Sequence, residues 1–374
     1  MPPGRNDDSH SDHRSASTNT SSSKLQTDCA TEHGNSLQCI QDNLHDKNVL
    51  QGFVSMRQSI APSFPSVRLH DIDTGHDDSI VGARFLLSFD LDDTLFPTSQ
   101  VVNEANTVMI AAMNALGYAI SVDGFLETTR RIRKRLTQPV TYTVLRKMAI
   151  REVIQCQLSQ GDTRGPILIE EKAIDELFNV WLEERHAAAE RYLFPDVIPM
   201  LQSVRARFPG VCIAAITNGR GDPLAMKDTL APYFEFCVSG EDSNVFPDRK
   251  PHLGIYEAAL ALYNATFRDQ SSEELLWCHV GDCLANDVGA SAGCGAFAVW
   301  FCPDDQTIES AASRLKDIRS MPSWSTASAA DIVERAKMAE HAKEKVATRI
   351  RSLSELDETL LKFVERSHSL ASAT

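Results

Sequence analysis

The sequence predicts an α/β protein with a doubly wound parallel sheet and an inserted all-α cap domain. Short, continuous apolar runs recur along the chain from residue 84 onwards, as expected for strands that are buried on both faces of a parallel sheet. Helical patterns separate most of these runs, and alternation of strands with helices indicates βαβ units. Residues 99–193 lack any strand pattern, which predicts a second, helical domain between the first strand and the second.

Apolar runs and helical periodicity locate the individual elements. The predicted strands are residues 84–89, Val211–Ile216, Phe234–Ser239, Leu276–Val280, Ala296–Phe301 and Ala347–Ile350. The predicted core helices are Leu224–Leu230, Pro251–Tyr263, with proline as a favourable first residue, Asn286–Ala292 and Leu353–Phe363. Four further helices are predicted at Asn103–Leu116, Val122–Leu136, Thr141–Leu158 and Ile169–Tyr192. This all-helical segment enters and leaves at the carboxyl edge of the sheet, where open α/β sheets bind ligands, so we interpret it as a cap.

Composition divides the chain into predicted segments. Residues 1–81 are polar and poor in apolar clusters, so we expect a disordered tail. The core is predicted in three pieces, and the cap and a helical insertion with Ala, Glu and Lys near its end separate them. The predicted boundaries are 82–98, 194–302 and 346–366 for the core, 99–193 for the cap, 303–345 for the insertion and 367–374 for a short tail.

Length, charge and cysteine usage limit the class of protein. The chain has 374 residues, enough for a core domain and an accessory domain. Its net charge of −14 argues against a nucleic-acid partner, which usually needs a basic surface, but is compatible with small anionic substrates. No run of about 18 apolar residues occurs, so we expect no membrane partner. Nine cysteines without paired spacing, and an N-terminus without a secretory pattern, favour a reducing compartment, and we expect the cytoplasm.

The strongest chemical signal is the sequence FDLDDTL at residues 89–95, directly after the first predicted strand. Three acids in four residues repel one another and resist burial unless a cation compensates them. Mg²⁺, which prefers oxygen ligands, is the natural candidate. The plainer interpretation is that Asp92, Asp93 or Thr94 caps the next helix. That interpretation accounts for Asp93 and Thr94 but not for Asp90 at the end of the strand.

Three later segments place polar residues at the same edge of the predicted sheet. The second strand ends in Thr217-Asn218-Gly219, Lys250 precedes the helix predicted at Pro251, and the fourth strand ends in GDCLAND at residues 281–287. Each has an ordinary alternative: a turn that favours Asn-Gly, a solvated lysine, and a turn followed by a helix cap. Their order along the chain, each after the expected element, is what makes them informative together.

These four segments resemble the four motifs of the haloacid-dehalogenase superfamily, whose core is Rossmann-like. The first motif is DxDxT, the second carries Ser or Thr, the third carries Lys, and the fourth has the form GDxxxxD. The resemblance covers residues 84–301 and, more weakly, 346–364. It covers neither the N-terminal tail nor the insertion.

The resemblance implies a phosphoryl-transfer mechanism. Asp90 would attack phosphorus and form an aspartyl-phosphate. Asp92 would protonate the leaving alcohol and then deprotonate the water that hydrolyses the intermediate. Mg²⁺ would be bound by the Asp90 carboxylate, the Asp92 backbone carbonyl and Asp282. Members that displace halide lack a carboxylate two residues after the nucleophile, so Asp92 argues against dehalogenation.

The remaining motif residues have supporting roles in the same scheme. Thr217 and the backbone N–H of Asn218 would bind phosphoryl oxygens. Lys250 would supply positive charge to nucleophile and phosphate together. Asp287 would orient Lys250 or a metal-bound water, and Thr94 would support the site from the same second layer.

The predicted cap indicates a small phosphorylated metabolite as substrate, because a macromolecule would not fit beneath it. Within the superfamily, residues 89–98, 215–223, 233–236 and the cap segment 140–151 resemble those of the flavin-mononucleotide and 5-amino-6-(5-phosphoribitylamino)uracil phosphatases. There, Thr141 and Arg146 resemble a Thr/Arg-bearing cap helix that faces the substrate. The basic run at residues 130–135 is interpreted as a solvated helix face, with attraction of phosphates or nuclear targeting as alternatives.

Other functions stay open at this point. Nucleotide phosphatases, sugar-phosphate phosphatases and phosphomutases share the motifs. A non-enzymatic interaction protein is a further alternative, although a binding module has no use for a repulsive acid cluster. The N-terminal tail and the 303–345 insertion are candidates for binding a protein partner.

Overall fold

The computed structural model describes residues 84–161, 171–267, 275–304 and 329–371. The predicted tail, residues 1–81, lies outside the described residues, as does most of the predicted insertion. The described part contains a six-stranded parallel sheet with the strand order β3-β2-β1-β4-β5-β6. The strands are β1 (Arg84–Phe89), β2 (Cys212–Thr217), β3 (Phe236–Ser239), β4 (Leu275–Gly281), β5 (Phe297–Phe301) and β6 (Thr348–Ile350).

Strand β1 lies at the centre of the sheet because its side chains are apolar on both faces. Leu86, Leu87 and Phe89 are fully buried. Phe89 is in register with Ala215 on β2 and with Val280 on β4, so the last residue before the acid motif is flanked on both sides. This confirms the predicted α/β class with a doubly wound parallel sheet.

Helices cover both faces of the sheet. On one face lie α5 (Val197–Arg207) and α9 (Leu356–Ala371), and on the other lie α6 (Gly254–Thr266) and α8 (Ala329–Ala342). A π-helical turn (Leu284–Gly289) and the short helix α7 (Ala290–Gly293) follow β4.

Four helices follow β1 without an intervening named strand, as predicted for the cap. They are α1 (Thr98–Ala115), α2 (Val122–Arg135), α3 (Tyr142–Gly161) and α4 (Glu171–Arg191). Ser121 caps α2 by accepting a hydrogen bond from the N–H of Gly124 at 3.1 Å. The basic run at 130–135 lies at the end of α2, where exposed Arg131 and Arg135 form ion pairs with Glu152 of α3.

The structure corrects two predicted helix assignments and adds one helix that was not predicted. Leu224–Leu230 is not a helix but a 3₁₀ turn at Pro223–Ala225 followed by further turns, because its apolar spacing comes from loop residues that dock in the core. The helix predicted to start at Pro251 begins at Gly254, since Lys250 and Pro251 belong to a turn closed by the N–H of His252. Helix α5 was not predicted at all.

The part of the chain that follows β5 also adds to the fold. The helix at the end of the predicted insertion is α8, and the predicted last strand and helix are present as β6 and α9. Strand β6 pairs with β5 through Phe301 and Ile350, so it extends the sheet. The predicted domain boundaries themselves stay predictions. Among the described helices, none is long and apolar enough to cross a membrane.

Candidate active site

The carboxyl ends of the three central strands position the predicted motifs. Asp90 directly follows β1 and its N–H donates to the carbonyl of Val280 at 2.9 Å. Thr217 is the last residue of β2, and Asp282 directly follows β4. Because the strands are parallel, residues far apart in sequence meet at one edge of the sheet.

Lys250 joins two of the predicted carboxylates. Its Nζ atom donates to Oδ1 of Asp90 and to Oδ1 of Asp287, each at 2.7 Å. The lysine side chain is 1% exposed, so these ion pairs lie in the protein interior. Burial opposes the charge of Lys250, but Asp287 and Asp90 more than offset this and raise its pKa above its usual range. The lysine is therefore a fixed positive charge beside the proposed nucleophile.

Three acidic side chains form a cluster around this lysine. Oxygen atoms of Asp90, Asp282 and Asp287 all lie within 4.8 Å of one another. Burial raises the pKa of Asp90 to about 7, against the opposing charge of Lys250. Burial and the charges of Asp287 and Asp90 raise the pKa of Asp282 well above its usual range. Burial alone would also raise the pKa of Asp287, but Lys250 and His279 hold it below its usual range.

This cluster fits a divalent cation. Three carboxylates around one ammonium group leave excess negative charge in a largely buried site, and all their donors are the hard oxygens that Mg²⁺ prefers. The structure brings together Asp90 and Asp282, the two side chains predicted to bind the metal. Asp287, which was predicted to orient Lys250 or a metal-bound water, lies in the same cluster. The Asp92 side chain is not in this cluster, and for Asp92 the prediction concerns the backbone carbonyl as a metal ligand.

Hydrogen bonds from neighbouring core residues hold the cluster in place. The backbone N–H of Asp282 donates to Oγ1 of fully buried Thr94 at 3.1 Å, and the N–H of Cys283 donates to Oδ2 of Asp287 at 3.0 Å. Gly281 leaves the space that Asp287 fills, because a methyl group there would lie 2.4 Å from its Cβ and Cγ atoms. Thr94 thus contacts the backbone of Asp282, and its predicted supporting role stays a prediction.

The capping alternative for the acid motif applies to Asp93. Its Oδ1 atom accepts a hydrogen bond from the N–H of Thr98, the first residue of α1, at 2.9 Å. Asp93 also adopts a φ of 61°. Asp93 is therefore the acid of this motif that caps α1.

The predicted phosphate-binding segment lies at the end of β2, the strand next to β1. Thr217 is fully buried, and its Oγ1 atom accepts from the N–H of Gly219 at 3.3 Å. The Nδ2 atom of Asn218 donates to the carbonyl of Lys250 at 2.9 Å, which joins the second motif to the third. The Oδ1 atom of Asn218 is buried, and no described residue hydrogen-bonds to it. Phosphate binding by Thr217 and Asn218 stays a prediction.

Arg185, which no motif indicated, contacts the proposed acid and base. Its Nη2 atom lies 2.8 Å from Oδ1 and 3.0 Å from Oδ2 of Asp92. Arg185 belongs to α4, the last cap helix, 93 residues away in sequence. One sequence signal could have revealed it: an arginine interrupts the apolar face of α4 between Trp181 and Ala188.

The two predicted cap residues have different surroundings. Thr141 precedes α3, and its Oγ1 atom accepts from the N–H of Val144 at 3.1 Å, as a helix cap does. Arg146 donates to Oδ1 of Asn106 at 2.8 Å and lies 3.8 Å from the centre of the Trp181 ring. Burial, together with the charge of Arg185, lowers the pKa of Arg146 to about 9. Binding of substrate by either residue stays a prediction.

Glu241 connects the core to the predicted cap through hydrogen bonds to the start of α3. It follows β3, and both of its carboxylate oxygens accept from the N–H of Thr143 in the first turn of α3, at 3.3 Å each. Its side chain is 2% exposed. A carboxylate at a helix N-terminus is favourable, so this contact stabilises the cap in its position over the core.

The family model of the haloacid dehalogenase-like hydrolases matches residues 86–295. This segment includes more than half of the chain and all four motifs. The chain belongs to the haloacid dehalogenase-like hydrolase family. The comparison with curated proteins gave no match.

Several solved structures are similar to this chain. A 2-haloacid dehalogenase from Pseudomonas syringae is 22% identical, with a TM-score of 0.50 over 75% of this chain and 99% of its own. A phosphatase from Thermococcus onnurineus is 18% identical, with a TM-score of 0.40 over 74% of this chain and 97% of its own. A magnesium-bound putative hydrolase from Bacillus subtilis is 17% identical, with a TM-score of 0.39 over 75% and 99%.

Proposed function

We propose that this hydrolase is a Mg²⁺-dependent phosphatase that hydrolyses a small phosphomonoester through an aspartyl-phosphate. The observation that carries the proposal is the juxtaposition of Asp90, Asp282 and Asp287 with Lys250. It combines a carboxylate nucleophile and a fixed positive charge, joined by a 2.7 Å hydrogen bond, with a cation site whose carboxylate oxygens lie within 4.8 Å of one another. Phosphoryl transfer needs these three elements because attacking and transferred groups are both anionic.

In the first step, an Asp90 carboxylate oxygen attacks phosphorus, and the bond from phosphorus to the leaving oxygen breaks. Asp92 gives its proton to that oxygen, so the product leaves as an alcohol. Lys250 holds Asp90 in place and offsets charge on the phosphoryl oxygens. Thr217 and Asn218 provide a hydroxyl and an N–H for the same oxygens.

In the second step, a water attacks phosphorus and gives a proton to Asp92. The bond between phosphorus and Asp90 breaks, and inorganic phosphate is released. Asp90, Asp282 and the Asp92 backbone carbonyl would bind Mg²⁺, with Asp287 beside them. The bound ion would neutralise the repulsion between the carboxylates and the phosphate.

Asp92 favours a phosphatase over a dehalogenase. Halide leaves without a proton, whereas an alkoxide requires one, and Asp92 is the group that can provide it. The fold is compatible with either reaction because the fold alone does not determine chemistry. Release of fluoride or chloride from 2-haloacids, without phosphate release from any ester, would identify the dehalogenase instead.

The proposed substrate is a small metabolite, with flavin mononucleotide or a related riboflavin-pathway phosphate as the first candidate. Nucleotides and sugar phosphates are the alternatives, and a phosphomutase would return the phosphoryl group to substrate. A protein partner of the tail or the insertion remains part of the proposal. The described cysteines are free thiols, which supports the proposed cytoplasmic location.

The test is phosphate release from a panel of phosphomonoesters that includes flavin mononucleotide, nucleoside monophosphates and sugar phosphates. The proposal expects release that requires Mg²⁺ and is lost in Asp90→Asn. A bisphosphate primer in a parallel sample would reveal mutase activity. A folded protein that hydrolyses none of the esters would refute the phosphatase proposal.

A further inference from the structure

We infer that Arg185 is a positioning residue for Asp92, and that the cap therefore orients the general acid and base of the core. The inference rests on the proposed function, since it assigns a role to a neighbour of Asp92. The contact is bidentate toward Asp92: one guanidinium nitrogen donates to both carboxylate oxygens, at 2.8 and 3.0 Å. Charged hydrogen bonds of this length fix the plane of a carboxylate.

Arg185 comes from the cap, but its guanidinium group is surrounded by the core. It lies against the ring of Phe96, with its central carbon 5.9 Å from the ring centre. A methyl group added at Gly221 would lie 2.7 Å from Nη1 of Arg185 and 3.1 Å from Leu91 Cδ1. Gly221 belongs to the loop after β2, which carries the second motif. The guanidinium group therefore occupies a space bordered by two catalytic loops.

The arrangement is a poor solution for stability alone. The Arg185 side chain is 3% exposed, and its Nη1 atom is buried with no hydrogen-bond partner among the described residues. A buried charged donor without a partner costs free energy. The Asp92 side chain is 29% exposed, so water could solvate it without an arginine. A methionine of similar volume would fill the space without an unpartnered donor.

The positioning role follows from the geometry of the two proton transfers. Asp92 must present the same carboxylate first to the leaving oxygen and then to the attacking water. A carboxylate that rotates freely spends part of its time turned away from both. Since Arg185 reaches Asp92 only from the cap helix, the carboxylate is held in one orientation while the cap is seated on the core.

Two kinds of variant separate the effect of the position of the Arg185 guanidinium group from the effect of its charge. Arg185→Met removes the guanidinium group, and Arg185→Lys keeps the positive charge on a shorter side chain with a different head group. Gly221→Ala keeps Arg185 but displaces its guanidinium group, because the added methyl group collides with the end of a flexible side chain. Lys147→Met is the matched control, since it removes a cap cation that pairs with Asp175 on the surface, at 2.8 Å.

The measurements are kcat, KM, thermal unfolding and the amount of phosphorylated enzyme after rapid acid quench. We expect kcat to fall roughly 10- to 100-fold in Arg185→Met and Gly221→Ala, with KM changed less than threefold. Arg185→Lys should recover part of kcat, and the control should match wild type. All variants should unfold cooperatively.

Either of two results overturns the inference. One is full kcat in folded Arg185→Met; the other is a loss seen only in KM, which would make Arg185 a substrate-binding residue. Failure of the proposed function looks different, because wild type would then release no Asp90-dependent phosphate. In that case the inference fails with it.

Discussion

The Nζ atom of Lys250 lies 2.7 Å from Oδ1 of Asp287, and neither side chain is more than 2% exposed. A turn before α6 supplies the lysine, and the π-helical turn after β4 supplies the acid. The same nitrogen donates to Asp90, so Asp287 anchors the lysine that contacts the nucleophile. Two loops from separate parts of the core are thus joined by one ammonium group.

Replacement of Lys250 by methionine is expected to destabilise the protein by about 3–5 kcal/mol, because it leaves carboxylates uncompensated in the interior. Urea unfolding measures the change, in the absence of Mg²⁺. Lys362→Met is the control: its ion pair with Glu358 is exposed and is expected to contribute little to stability. Equal unfolding midpoints for the two variants would contradict the expected cost of the buried pair.

Asp92→Asn is expected to lower kcat by roughly 10²–10⁴-fold, because asparagine can neither donate nor accept the transferred proton. Its thermal stability should also fall, because the buried Arg185 guanidinium group loses its carboxylate partner. Steady-state kinetics and a thermal melt on the same sample separate the two effects. Asp175→Asn, on the cap surface, should retain wild-type kcat. An active Asp92→Asn enzyme would remove Asp92 from the mechanism.

Affinity for Mg²⁺ is expected to weaken as the pH falls from about 8 to about 6. Burial raises the pKa of Asp90 to about 7 and raises that of Asp282 as well, so at low pH the ion must displace protons. Each displaced proton weakens binding roughly tenfold per pH unit. Calorimetric titration with Mg²⁺ in two buffers of different ionisation enthalpy measures both affinity and proton release. Affinity that is independent of pH, without proton release, would argue against this cation site.

Gly281→Ala is expected to destabilise the protein by about 1–3 kcal/mol and to weaken Mg²⁺ binding. The added methyl group would collide with the Cβ and Cγ atoms of Asp287, which lie next to the backbone and cannot easily move. Thermal unfolding with and without Mg²⁺ tests this. At Gly219 the nearest atom to an added methyl group is 3.9 Å away, so Gly219→Ala should unfold near the wild-type temperature. Similar melts for both variants would show that the space at Gly281 is not required.

The sequence predicted the sheet and the acid cluster because both depend on local signals. Each core strand is a short apolar run, and Asp90, Thr217 and Asp282 lie at or directly after the ends of such runs. Parallel strand geometry then brings Asp90 and Asp282 to one edge without any knowledge of side-chain contacts. The same reasoning placed Lys250 in the site, although its contact with Asp287 required the folded structure to become visible.

The features that were missed depend on tertiary contacts or on exceptions to local rules. Helix α5 contains Pro199, but a proline in the first helical turn removes only an N–H that would have no partner in the helix. Arg185 reaches Asp92 from a different domain, and no spacing rule connects residues in that way. The segment 224–230 has helical spacing because Met226 and Leu230, four residues apart, are buried, not because the segment is helical.

Strand β1 lies between β2 and β4, with parallel neighbours on both sides. Its amide hydrogens can exchange with solvent only when the middle of the sheet opens, which is the most costly local unfolding event available to the core. Helices α1 to α4 follow β1 in the chain, after Asp90. We therefore expect the proposed nucleophile to adjoin the slowest-exchanging strand of the sheet, whereas Arg185, which contacts Asp92, belongs to a helix outside the sheet.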